Sequence, residues 1–326
     1  MKFALLSVSY AGLFYAGKPL SLEEQIRKAK ELGFDGLAIE TKRPVAFPLD
    51  LSKADRARIK TLAADEGIAL CAVESMSNFA SRHMEERENN LAMMRTVLDL
   101  AADLDVDMVK VFAAWPGLVN DEEAVAMYAP YERGSHFKRP YPPDLRKWNR
   151  AVDGIREVAG WAADLGITLV LQNHAPVTAP GYEDALAMVQ EIDRPNVKLC
   201  LDVPLFYERQ DGEFVQDAVR HCRDYVAYTH YGAWNFTEVD GEVLQGPAPS
   251  FGGAINYEAF VGALAEIGYD GYLASEYCVA VVNRHRIGGV EEVDRGTRLA
   301  LRYMKDMVRE AERAANQRFA DAASFR

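Results

Sequence analysis

Eight times along this chain a short apolar run, rich in β-branched residues, gives way to a segment with helical periodicity. FALLSVS, DGLAIE, IALCAVE, VDMVKVF, ITLVLQ, NVKLCLD, YVAYTH and GYLASE read as strands. SLEEQIRKAKELG, LSKADRARIKTLAADEG, residues 84–104, residues 144–165, YEDALAMVQEI, EFVQDAVRHCRD, NYEAFVGALAEIG and residues 289–314 read as helices. Strands and helices that alternate without a composition break imply a parallel sheet under helical cover. Eight such units imply closure into a (β/α)8 TIM barrel, with residues 1–316 as one domain and 317–326 as a frayed tail. An open doubly wound sheet is the alternative, but the Gly-rich phosphate loop expected after its first strand is absent from MKFALLSVSYAG.

Four of these strands finish on Gln172, Asp202, His230 and Glu276, at intervals of 30, 28 and 46 residues. The C-terminal ends of barrel strands converge on one mouth, so residues distant in sequence meet there. An amide oxygen, an imidazole and two carboxylates suit a hard or borderline divalent ion, Mn²⁺, Mg²⁺ or Co²⁺. His174 follows two residues after Gln172 and shares its side while the strand persists. A neutral imidazole there suits a general base, with a rim hydrogen bond or a further metal bond as the alternatives. Glu40, Glu74 and Lys110 are weaker candidates. A rim salt bridge to Lys42 or Arg43 is as good a reading of Glu40, and structural pairing as good a reading of Lys110.

Two connections are long, residues 113–143 and 231–255, and both follow strand C-terminal ends. Their Tyr, Trp, Phe and Pro content suits stacking on a ligand, or packing on the rim. Trp115 opens the first, and Arg284 follows the last strand, so both are expected to reach substrate. The formal net charge of −12 argues against a nucleic-acid partner. No apolar run reaches the roughly 18–20 residues that span a membrane. The cysteines lack paired short spacing, which favours buried thiols and a reducing, cytoplasmic setting.

LVLQNH, LCLD, YTHYG and the closing GYDGYLASE resemble the xylose isomerase-like barrel superfamily of sugar isomerases, epimerases and dehydratases, over nearly the whole chain. The resemblance implies that Gln172, Asp202, His230 and Glu276 hold the metal. Two departures stand out. The ketose 3-epimerase-like branch has Glu where this chain has Gln172, and that Glu also serves as one of two proton-transfer bases. The same branch has His where this chain has Leu205. The run Gln172-Asn173-His174 with the aromatic loops resembles the catalytic subunits of bacterial C-glycoside deglycosidases. That implies Mn²⁺ or a similar ion, His174 as base, cleavage of a 3-oxo-C-glycoside by elimination, and a small β-rich partner subunit in a hetero-oligomer. The alternative is a metal-dependent isomerase, epimerase or dehydratase acting on a free keto-sugar.

Overall fold

The eight apolar runs form strands β1 (Lys2–Leu6), β2 (Gly36–Glu40), β3 (Ala69–Glu74), β4 (Met108–Val111), β5 (Thr168–Gln172), β6 (Val197–Val203), β7 (Val226–Gly232) and β8 (Tyr272–Glu276). In the computed structural model they close into a barrel in the order β1-β8-β7-β6-β5-β4-β3-β2, every neighbouring pair parallel. The structure describes residues 1–115, 117–119, 127–128, 145–174, 181–203, 205, 209–232, 236–247, 253–278, 281–283 and 285–324. The helices are α1 (Leu22–Leu32), α2 (Lys53–Glu66), α3 (Met84–Asp103), α4 (Leu145–Asp164), α5 (Tyr182–Ile192), α6 (Gly212–Cys222), α7 (Tyr257–Glu266) and α8 (Val290–Ser324). The expected TIM barrel is therefore the observed one.

Local chemistry sets the element ends. Ser21 and Glu24 form a reciprocal capping box at the start of α1, and Gly33 ends that helix in the left-handed region at φ 87°. Ser52 and Asp55 repeat the box on α2. Gly36 opens β2 where a Cβ would lie 2.9 Å from the Ala69 carbonyl oxygen, so only glycine lets β2 approach β3 there. The last helix runs on to Ser324, beyond the expected end near Ala314. The segment NQRFADAAS has neither Pro nor Gly and is rich in Ala, so nothing in it stops a helix.

Two cores result. A large one fills the space between sheet and helices, with Ile26, Ile59, Leu98, Ile155 and Phe260 wholly or almost wholly buried. A smaller one fills the barrel itself, from Ala4, Ala38, Ala72, Val170, Cys200, Tyr228 and Ala274. Side chains alternate along a strand, so the residues two further on point the same way. Those residues are Leu6, Glu40, Glu74, Gln172, Asp202, His230 and Glu276, and Lys110 completes the ring from β4. The four cysteines are free thiols. Among the described residues no helix is long and apolar enough to cross a membrane.

Candidate metal and substrate site

The β5–β8 side of this ring brings the four sequence-predicted ligands together. Gln172 Nε2 donates to Asp202 Oδ2 at 2.9 Å and faces His230 Nδ1 at 3.1 Å. His230 Nδ1 lies 3.7 Å from Glu276 Oε2. Ligand atoms of His174, Asp202 and Glu276 all fall within 4.8 Å of one another. Ligands on an octahedron of roughly 2.1 Å bonds lie about 3 Å apart when adjacent and about 4 Å when opposite, so Gln172, Asp202, His230 and Glu276 stand near the spacing of one divalent ion's ligands, with His174 beside them. The strand register explains the convergence, since Asp202 pairs directly with His230, and His230 with Ala274, two residues before Glu276.

Three observations fit the residues to a cation. Gln172 Oε1 is buried without a hydrogen-bond partner, while the amide nitrogen donates to Asp202 Oδ2 and lies 3.1 Å from His230 Nδ1. Rotating that amide brings its oxygen beside the Asp202 carboxylate, an arrangement that a cation between them makes favourable. Burial and the adjacent Glu276 charge push the Asp202 carboxyl up to about 7, against the pull of His230. Finally, His230 Nε2 lies 2.9 Å from Glu74 Oε1, which leaves Nδ1 turned toward the ligand set. Such a carboxylate–imidazole pair fixes the ring orientation of metal-binding histidines.

Glu74 ties this side to the rest of the ring. It accepts from Tyr228 Oη at 3.0 Å and from His230, and it pairs with Lys110 Nζ at 3.2 Å. Burial alone would raise its pKa, but His230 and Lys110 bring the carboxyl down to about 2. Burial opposes a charged His230, whereas Cys200 and Glu74 favour it, and its pKa ends well above the ordinary imidazole range. Cys200 is a neutral thiol near neutrality, pushed up to about 11 by burial, so Glu74 is the partner that matters. Asn173 was assigned no role from sequence. Its side chain accepts from the Asp202 backbone N–H at 2.8 Å and donates to the Asp202 carbonyl at 3.2 Å, holding β6 beside the end of β5.

His174 lies just beyond β5 yet lines the same cavity as Gln172 and Glu276. Its ring meets Phe112 and Trp115 edge-on, with centroids 5.7 and 5.6 Å away. Trp115 stacks on Phe112 at 4.4 Å and lines the cavity. Lys110 is paired with Glu74 and also covers the Phe112 ring. Glu40 pairs with Lys42, while Arg43 turns outward to Asp50. Arg284 lies outside the described residues. Most of the 113–143 connection does too, whereas the 231–255 connection carries a hairpin, Phe236–Val239 with Glu242–Gln245.

The profile of the Xylose isomerase-like TIM barrel family matches residues 26–309. The chain belongs to that family and is an enzyme of the sugar isomerase and epimerase superfamily. It is 22% identical to fructoselysine 3-epimerase of Escherichia coli O157:H7 over 304 residues, spanning 87% of this chain and 96% of that one. It is 27% identical to D-psicose 3-epimerase of Ruminiclostridium cellulolyticum over 263 residues, 77% of this chain and 76% of that one. A D-psicose 3-epimerase crystallised with D-fructose superposes with a TM-score of 0.70 at 22% identity, covering 94% of this chain and 99% of that one. The 3-keto-D-glucoside 4-epimerase of E. coli superposes with a TM-score of 0.66 at 17% identity, with the same coverage.

Proposed function

We propose that this protein is a metal-dependent keto-sugar epimerase or isomerase, moving a proton on the carbon beside the substrate's carbonyl. The observation that carries this reading is the cluster of His174, Asp202 and Glu276 within 4.8 Å, beside Gln172 and His230. Gln172, Asp202, His230 and Glu276 would hold the ion, with Mn²⁺ the best match and Mg²⁺ or Co²⁺ acceptable to the same donors. When bound, the ion supplies Lewis-acid polarisation of the ketone oxygen. His174 takes the proton from the adjacent carbon, and the C–H electron pair moves into an enediolate. A proton from solvent then reaches the other face of the same carbon on the Glu276 side, giving the epimer, and His174 releases the proton it took to solvent. Gln172 accepts no proton, so His174 serves where the relatives' branch has a carboxylate at the strand end. Trp115 and Phe112 form an apolar wall beside the base. The 3-epimerase relatives support this chemistry over a lyase.

Gln172 also favours a second reading, in which one base suffices. His174 would remove the proton beside the ketone of a 3-oxo-C-glycoside. The enolate pair would then form a C=C bond as the bond to the aglycone breaks, and the aglycone carbon would take a proton. A small β-rich partner subunit belongs to this reading. One experiment separates the two. Mn²⁺-loaded protein is incubated in D2O with D-psicose, with a 3-keto-glucoside and with a 3-oxo-C-glycoside, and followed by NMR. The epimerase reading expects deuterium in a free keto-sugar, lost on chelation. His174→Ala is expected to lower the rate by roughly 10² to 10⁴ while keeping its metal. Aglycone release without ketose exchange moves the assignment to the lyase, and no exchange in any of the three rejects both.

A further inference from the structure

The β2–β4 side of the mouth ring stands apart from the metal set, and it holds an unmet hydrogen-bonding need. Glu40 is 3% exposed. One of its oxygens, Oε1, pairs with Lys42 Nζ at 3.0 Å. The other, Oε2, is buried and has no hydrogen-bond donor. A carboxylate oxygen shielded from water without a donor destabilises the fold unless a ligand supplies one. Burial accordingly raises the Glu40 pKa, with Lys42 opposing it. Glu40 lines the same cavity as Gln172, His174, Glu276 and Trp115, the space that the keto-sugar reading gives to the substrate.

The charges around it select the kind of donor. Lys42 is matched by Glu40 and Lys110 by Glu74. Among the described residues on this side of the cavity, two carboxylates (Glu40, Glu74) match two lysines (Lys42, Lys110), which leaves no unpaired cation to take a phosphate. A phosphate ester would add negative charge to that wall, whereas a hydroxyl adds a donor and no charge. We propose that Glu40, held by Lys42, is the hydroxyl-accepting subsite for the end of a neutral, unphosphorylated sugar that lies across the barrel from the metal set. This rests on the keto-sugar reading and adds to it the charge class of the substrate and the residue that selects it.

Two measurements test it. The first is thermal unfolding of Glu40→Gln and Glu40→Ala without sugar. A substrate-directed carboxylate leaves both variants at least as stable as wild type. A fall of more than about 5 °C in both makes Glu40–Lys42 a structural pair and overturns the proposal. The second is calorimetric binding of D-fructose and D-fructose 6-phosphate to the Mn²⁺-loaded proteins. Glu40→Ala is expected to bind Mn²⁺ like wild type but D-fructose about tenfold or more weakly, and wild type is expected to prefer D-fructose to its phosphate. D-fructose binding that is indifferent to Glu40, or tighter binding of the phosphate, removes the subsite and leaves the keto-sugar reading standing. No binding to wild type of either sugar, of D-psicose or of a 3-keto-glucoside removes that reading, and the subsite with it.

Discussion

At Gln172 the proposed ligand set has an amide where the resemblance to the 3-epimerase-like branch implies a carboxylate. In the proposed metal site the amide would leave Asp202 and Glu276 as the anionic ligands, and Asp202 is the one that burial and its neighbour resist ionising, at about 7. The sign of the resulting pH dependence follows. The folded-state value lies above the ordinary 3.8, so the metal-free fold holds this contribution below pH 4 and loses it as pH rises toward 7. Metal binding runs the other way, because it needs Asp202 ionised and His230 without its Nδ1 proton. Mn²⁺ affinity is therefore expected to rise by about tenfold or more per pH unit between roughly pH 5.5 and 7. Titrating metal-free protein at three pH values checks this, and a flat profile would show that Asp202 is ionised throughout.

The strands were readable because parallel barrel strands are buried on both faces and therefore appear as β-branched apolar runs. The same reading located Gln172, Asp202, His230 and Glu276, each of which closes its run. Where register rather than pattern decides, the sequence offered structural pairing for Lys110 but no partner. Lys110 lies inside the run VDMVKVF, and only the β3–β4 pairing sets it beside Glu74. Asn173 was equally hidden, since its work is done against the backbone of β6, 29 residues away. Its side chain satisfies both the N–H and the C=O of Asp202 in a place without exposure. Asn173→Ala leaves both groups buried and unpaired, which is expected to destabilise the fold by about 2–4 kcal/mol. Urea denaturation measures this. An unchanged midpoint would show that water replaces the amide and that β5 and β6 hold their alignment without it.

Across the whole barrel, the mouth gathers Glu40, Glu74, Asp202 and Glu276 against Lys42 and Lys110, in a chain whose formal charge is already −12. Burial raises the pKa of Glu40 and Asp202, so this end of the barrel holds carboxylates at a desolvation cost that its lysines and His230 only partly offset. The far end carries none of this tension, since the layer beneath is Ala4, Ala38, Ala72 and Ala274 with Val170, Cys200 and Tyr228. A bound cation therefore acts on stability through one end of the molecule. At a hundredfold excess over its dissociation constant it contributes about 2.7 kcal/mol, which for a chain of this size is a rise of several degrees in Tm. Chelation is expected to lower Tm by that amount and Mn²⁺ to restore it. Hydrogen exchange should locate the change at the C-terminal ends of β5 to β8 and leave α2 and α3 unaffected. A Tm indifferent to metal would mean that the four strand-end residues do not bind an ion together, whereas a shift spread evenly over the helices would place the ion elsewhere.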